Sequence, residues 1–146
     1  MKAFKYAVKG IYSTLLSERN MRIHACVAFY VVLFGLITHL SAWEWAGCII
    51  CIGLVTALEC VNTALEQLCN ELHPEKSDAI GKVKDAAAGA VLCAAAASAA
   101  VGGAIFFRSE KITAVLAFAR NTPLYAAAAV ITIPLWIKFI VGRKHK

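Results

Sequence analysis

Few residues in this sequence have the type and spacing for chemistry, and the densest group lies in "ALECVNTALEQL", residues 57–68. At about 100° per residue, Glu59, Asn62, Glu66 and Asn70 fall within roughly 80° of one another on a helix, with Thr63 beside them. The stripe continues "WAGCIICIGLVTAL" (45–58), a run with no charged residue. A carboxylate that enters hydrocarbon costs at least a few kcal/mol, and is by default a functional-site hypothesis. Buried polar groups also hold spans together, and Asn62 with Thr63 would suit that role. Two glutamates at i and i+7 would not, since they repel unless a cation lies between them. From the residues alone, metal chemistry, proton chemistry and ion transport all stay open.

The elements that position this stripe are membrane spans. The chain has 146 residues, of which 60% are hydrophobic and 16% charged, and its mean hydropathy is +0.68. A soluble domain would be roughly half apolar and about a quarter charged. Four stretches, 25–42, 45–66, 86–107 and 121–141, are long and apolar enough to cross roughly 30 Å of hydrocarbon. In the third, Ala86, Ala90, Ala94, Ser98 and Gly102 recur every four residues, a ladder of small side chains that lets another helix approach closely. Before the spans, "MKAFKYAVKGIYSTLLSERN" is too polar to cross. Its Phe4, Val8, Ile11, Tyr12 and Leu15 recur at helical spacing, which predicts an amphipathic helix lying in the interface. The class is therefore all-α: a polytopic membrane bundle with an N-terminal interfacial helix.

The 15 Lys and Arg residues are unevenly spread. Lys2, Lys5, Lys9, Arg19 and Arg22 precede the first span; Lys76, Lys82 and Lys84 separate the second from the third; Lys138, Arg143, Lys144 and Lys146 end the chain. Only Arg108, Lys111 and Arg120 fall on the other side. The positive-inside bias then puts both termini and the 67–85 loop in the cytoplasm, with Trp43 and Trp45 at the outer interface. The net charge of +6 reflects this topology and contact with anionic lipid, and gives no reason to expect nucleic acid as a partner. At 1.5 Å per residue, Glu66 emerges about 31 Å from Trp45, and Glu59 lies about 10 Å deeper, where a lipid head meets its chains. The loop "SDAIGKVKDAAAGA" (77–90) brings Gly81, Lys82, Lys84 and Asp85 to the same end. It contains no G-x-x-x-x-G-K-[ST] phosphate loop and no G-x-G-x-x-G, so a nucleotide site here would be built differently. The six cysteines, including the C-x-x-C of Cys48 and Cys51, lie in or beside apolar segments and read as packing.

Taken together, "SERNMRIH" (17–24), "ECVNTALE" (59–66) and "VKDAAAGAVL" (83–92) resemble the prokaryotic diacylglycerol kinase family, which includes the undecaprenol kinases. The likeness covers about residues 1–108, a lipid kinase domain, and leaves 109–146 as a C-terminal extension with an additional span. The resemblance implies three spans per subunit, a homotrimer, and Mg²⁺-dependent transfer of the γ-phosphate of ATP to a membrane lipid alcohol in the bacterial inner membrane. By position, Glu59 corresponds to the general base and Asn62 to an active-site asparagine. Glu18 and Glu66 correspond to the carboxylates that hold metal and nucleotide. Lys84 corresponds to the lysine that contacts phosphate, with Gly81 and Asp85 on the nucleotide side.

Two departures stand out. Asn70 occupies a position where the family often has aspartate, which weakens a nucleotide or metal role there. The extension, broken at "RNTP" (120–123), has no counterpart, and we expect it to pack peripherally. Ile23-His24 after Arg22 resembles the undecaprenol kinase branch, so Ile23 is assigned to the lipid side and undecaprenol is the expected substrate, with diacylglycerol as the alternative. A small proton-coupled transporter or scaffold is the rival of another class. It would more readily carry internal repeats or mid-membrane helix breaks, and neither is visible near Glu59.

Overall fold

The structure is a computed structural model that describes residues 2–73, 75 and 77–142. Lys76, Arg143, Lys144 and Lys146, used above for orientation, lie outside the described residues. Six helices follow one another: α1 (Lys2–Ser17), α2 (Arg19–Ile37), α3 (Ala42–Leu72), α4 (Asp78–Phe106), α5 (Ser109–Asn121) and α6 (Pro123–Val141). Of these, α2, α3, α4 and α6 are long and apolar enough to span a membrane. The all-α, multi-pass architecture is as expected, and α1 coincides with the amphipathic segment, its Phe4, Tyr6 and Tyr12 exposed.

The boundaries have local causes. Glu18 is extended (φ −95°, ψ 127°) and joins α1 to α2, its N–H donating to Thr14 O at 2.8 Å and its carbonyl accepting from Arg22 N. The first span stops at Ile37, earlier than the uncharged run suggests, because His39 takes a positive φ of 49°. Ser41 then opens α3 in a capping box: its Oγ accepts from Glu44 N, and Glu44 Oε2 accepts from Ser41 N at 2.8 Å. This satisfies two of the amides that a helix start leaves orphaned. The corner is tight, since a Cβ on Gly35 would meet Trp45 Cη2 at 2.7 Å. Pro123 occupies the first turn of α6, where its missing N–H costs nothing.

The most extensive packing is between α3 and α4, and α2 packs on α3. Ala94 and Val91 are buried in this contact, while Ala86 and Ala90 remain exposed. The small-residue ladder is thus used within the subunit only in part.

Two of the basic residues counted for orientation are buried inside the protein. Arg22 is 1% exposed and Lys111 is 8% exposed. Lys111 Nζ lies 3.2 Å from Glu44 Oε2 and donates to Thr38 O, while Arg108 Nη1 lies 3.1 Å from Glu44 Oε1. Helix α5, which the span pattern did not reveal, is thereby tied to the corner between α2 and α3. At the opposite end of the bundle, α6 is tied to α2 through Arg22. The expected division at 108/109 is crossed by contacts at both ends.

Candidate active site

Glu59 is the most deeply buried carboxylate among the described residues. It is 2% exposed, and its Oε2 has no hydrogen-bond partner among the described residues. Its backbone carbonyl accepts from Thr63 Oγ1 at 2.9 Å, which keeps that hydroxyl turned back into the helix. One turn on, Asn62 donates from Nδ2 to Glu66 Oε1 at 3.2 Å, while its buried Oδ1 has no donor among the described residues. An unpaired buried acceptor loses its water without replacement, at a cost of about 1–3 kcal/mol. Two such acceptors on adjacent turns of one face are costly for packing alone, and they suit a site waiting for a proton donor or a cation.

These groups share a pocket of about 270 Å³ where three helices meet. From α2 come Asn20, Ile23 and His24; from α3, Glu59, Asn62 and Glu66; from α4, Ala88, Val91, Leu92 and Ala95. The alanines of α4 leave the space that larger side chains would fill. Beyond Ile23, His24 and Ala95 the pocket runs on into an apolar groove of about 370 Å³, lined by Val27, Cys51, Ile52, Val55 and Val101 among others. The groove has the chemistry of a hydrocarbon chain, and the pocket has that of its polar end.

A third space, of about 700 Å³ and lined mostly by polar and charged residues, opens where α3 stops and α4 starts. Asn70, His73, Ser77, Asp78, Gly81, Lys84 and Asp85 line it, and Lys84 Nζ donates to Asn70 Oδ1 at 2.6 Å. Glu66 stands one turn from Asn70 on α3, so the cleft and the pocket adjoin along the stripe. Gly81 and Asp85 therefore lie with Lys84, and Ile23 lies with Glu59, Asn62 and Glu66.

Glu18 lines none of these spaces. It sits at the α1–α2 joint, half-buried. Among the described residues, no group of three or more His, Cys, Asp or Glu side chains is disposed to hold a metal ion. Two carboxylates and a free amide oxygen fit a hard divalent cation only if other ligands are brought to it, as phosphate oxygens are. Asn20 and His24 are pocket residues that sequence reasoning missed. Their signal was present: 20, 23 and 24 share a helix face within the motif already singled out.

Residues 5–106 match the family described as prokaryotic diacylglycerol kinase. Over 105 residues the chain is 37% identical to the undecaprenol kinase of Bacillus subtilis, an alignment covering 72% of this chain and 85% of that protein. Over 104 residues it is 36% identical to the diacylglycerol kinase of Synechocystis, covering 70% of this chain and 59% of that protein. No solved structure matches. By these matches the chain belongs to the prokaryotic diacylglycerol kinase family and is a lipid kinase.

Proposed function

We propose that the chain transfers the γ-phosphate of ATP to the hydroxyl of a membrane lipid alcohol, undecaprenol in preference to diacylglycerol. The observation that carries this is the free Oε2 of buried Glu59, set between the apolar groove and the polar cleft. The lipid chain lies in the groove with its hydroxyl at Glu59, and the nucleotide lies in the cleft beside Lys84, Gly81 and Asp85. Glu59 takes the hydroxyl proton as the lipid oxygen bonds to the γ-phosphorus and the bond to the β–γ bridging oxygen breaks, releasing ADP. Phosphoryl transfer of this kind needs positioning and charge neutralisation more than covalent help. Asn62, held by Glu66, orients the reacting end of the lipid. Lys84 offsets charge on the phosphates. Glu18 and Glu66 would hold Mg²⁺, which when bound neutralises phosphate charge.

Undecaprenol is favoured because Ile23 lines both pocket and groove and offers no hydrogen bond to an ester-bearing glycerol head. The names of the two relatives keep diacylglycerol as the second reading. The site end faces the cytoplasm of the bacterial inner membrane, where ATP is available, as the charge bias implies. The assembly is a homotrimer, for which the exposed alanines of α4 (Ala86, Ala90, Ala97) offer close helix approach. Incubating the purified protein with radiolabelled ATP and each lipid in mixed micelles tests the proposal. Label passing to undecaprenol faster than to diacylglycerol supports it, and label passing to neither overturns it.

A further inference from the structure

Arg22 lies one residue from Ile23 and four from Glu18, yet nothing in the phosphoryl-transfer proposal uses it. Its guanidinium is fully buried and, among the described residues, pairs with no carboxylate. It is held by the ends of two helices. Nη1 donates to Leu16 O at 2.9 Å, in the last turn of α1, and Nη2 donates to Ile140 O at 3.4 Å, in the last turn of α6. The Phe139 ring lies 6.0 Å from its Cζ. Helix C-termini leave carbonyls unpaired and carry partial negative charge, so one cation neutralises two of them at once. The same face of α2 continues the seam along α6: Tyr30 and Thr132 share a hydrogen bond of 2.7 Å, and the Phe29 and Trp136 rings stand 5.7 Å apart.

We infer that Arg22 is a positioning residue through which the C-terminal helix α6 fixes the α1–α2 joint, and with it the direction of the Glu18 carboxylate. Leu16 and Arg22 bracket Glu18, and the Glu18 backbone is hydrogen-bonded to both helices, its N–H donating to Thr14 O and its carbonyl accepting from Arg22 N. Whatever sets the angle between α1 and α2 therefore sets Glu18. The residues that hold Arg22 from the far side, Phe139 and Ile140, lie beyond residues 5–106, where the family match ends. The extension is thus part of the support of the site. The inference rests on the proposed role of Glu18 toward Mg²⁺ and nucleotide.

The test uses the full-length protein in detergent and reads binding apart from turnover. Mg²⁺ is titrated into each variant with a fluorescent, non-hydrolysable ATP analogue and no lipid, and the lipid KM is measured separately. Arg22→Lys keeps the charge but cannot span two helix ends as a planar fork does. It should raise the Mg²⁺ requirement roughly 10-fold, the low end of what losing a supporting partner costs a metal site, with the lipid KM unchanged. Phe139→Leu, made in case Arg22→Lys does not fold, should shift it the same way by a smaller factor. The double variant Glu18→Gln/Arg22→Lys should show no further loss beyond Glu18→Gln alone, since Arg22 acts through Glu18. If Glu18→Gln raises the requirement and the folded Arg22→Lys and Phe139→Leu variants do not, the inference fails while the proposed function stands. If Glu18→Gln itself leaves the titration unchanged, the reading of Glu18 fails and takes the inference with it. If neither Arg22→Lys nor Phe139→Leu folds, the contact is a folding element, which also overturns it.

Discussion

Lys84 reaches back from the second turn of α4 to Asn70 in the last turn of α3, Nζ to Oδ1, at 2.6 Å. Asn70, which the sequence discounts for want of an acidic group, is thus the neutral partner that parks the Lys84 ammonium at the edge of the polar cleft. A neutral partner releases a cation to phosphate more readily than aspartate would. Lys84→Gln should lower kcat/KM for ATP roughly 10–100-fold, the loss of one charge-assisted contact. Asn70→Ala should stay within about 3-fold of the parent, because an exposed contact of this kind contributes little. Steady-state kinetics at saturating lipid decide it. A large loss in Asn70→Ala with a small one in Lys84→Gln would reverse the two roles.

Glu59→Gln keeps the shape of the side chain and removes the base. Turnover should fall by about 10²–10⁴, while binding of the non-hydrolysable ATP analogue stays at the parent value, because Glu59 lies in the lipid-side pocket and not in the cleft. Near-normal turnover would end the assignment of Glu59 as base.

Much of this was legible in one dimension. Spans declare themselves by uncharged length, and the stripe from Glu59 to Asn70 by spacing on a single helix. The pocket's α2 wall is half legible: the resemblance assigns Ile23 to the lipid side, whereas that Asn20 and His24, on the same face, also stand against Glu59 depends on how α2 packs on α3. What could not be read is pairing across the chain. Arg22 and Ile140 are 118 residues apart, and in sequence Arg22 looks like any other basic residue flanking a span. Lys111 misleads in the same way, since its partner Glu44 sits 67 residues away. The start of α3 has a local signal: Ser41 and Glu44 have the S-x-x-E spacing of a capping box. Helix α5, at 13 residues, is too short to show in a search for spans.

The Glu44–Lys111 contact gives the extension a second attachment, independent of the site. Lys111→Met removes a mostly buried ammonium while keeping length and an apolar stem, leaving Glu44 to Arg108 and the capping box. The thermal-inactivation midpoint should fall by several degrees, for a loss of about 1–2 kcal/mol from one charged contact. Activity below that midpoint should match the parent. A truncation after Arg108 should lose this tie and the Arg22 seat together, and so should be both less stable and more demanding of Mg²⁺. Peripheral packing of the extension predicts neither. A truncated chain with parent stability and parent Mg²⁺ titration would restore that simpler view.

Substrate choice rests on the wall that Ile23 provides. At equal mole fraction in mixed micelles, undecaprenol should show the higher kcat/KM. A glycerol head brings ester carbonyls that find no donor on Ile23, Val91 or Leu92 and must draw on Asn20, His24 or Asn62 instead, whereas an allylic alcohol asks for no partner beyond Glu59. A site that merely lacks a polar partner discriminates modestly, so the preference should be roughly 10–100-fold. Ile23→Gln adds a donor at the mouth shared by pocket and groove, and should narrow the gap by raising diacylglycerol turnover while leaving ATP kinetics unchanged. His24 lines the same mouth and is half-buried, which makes His24→Ala the control. If His24 were the group that reads the lipid head, its loss would change the lipid preference and Ile23→Gln would not. A parent enzyme that prefers diacylglycerol would overturn the Ile23 argument and leave the lipid kinase intact.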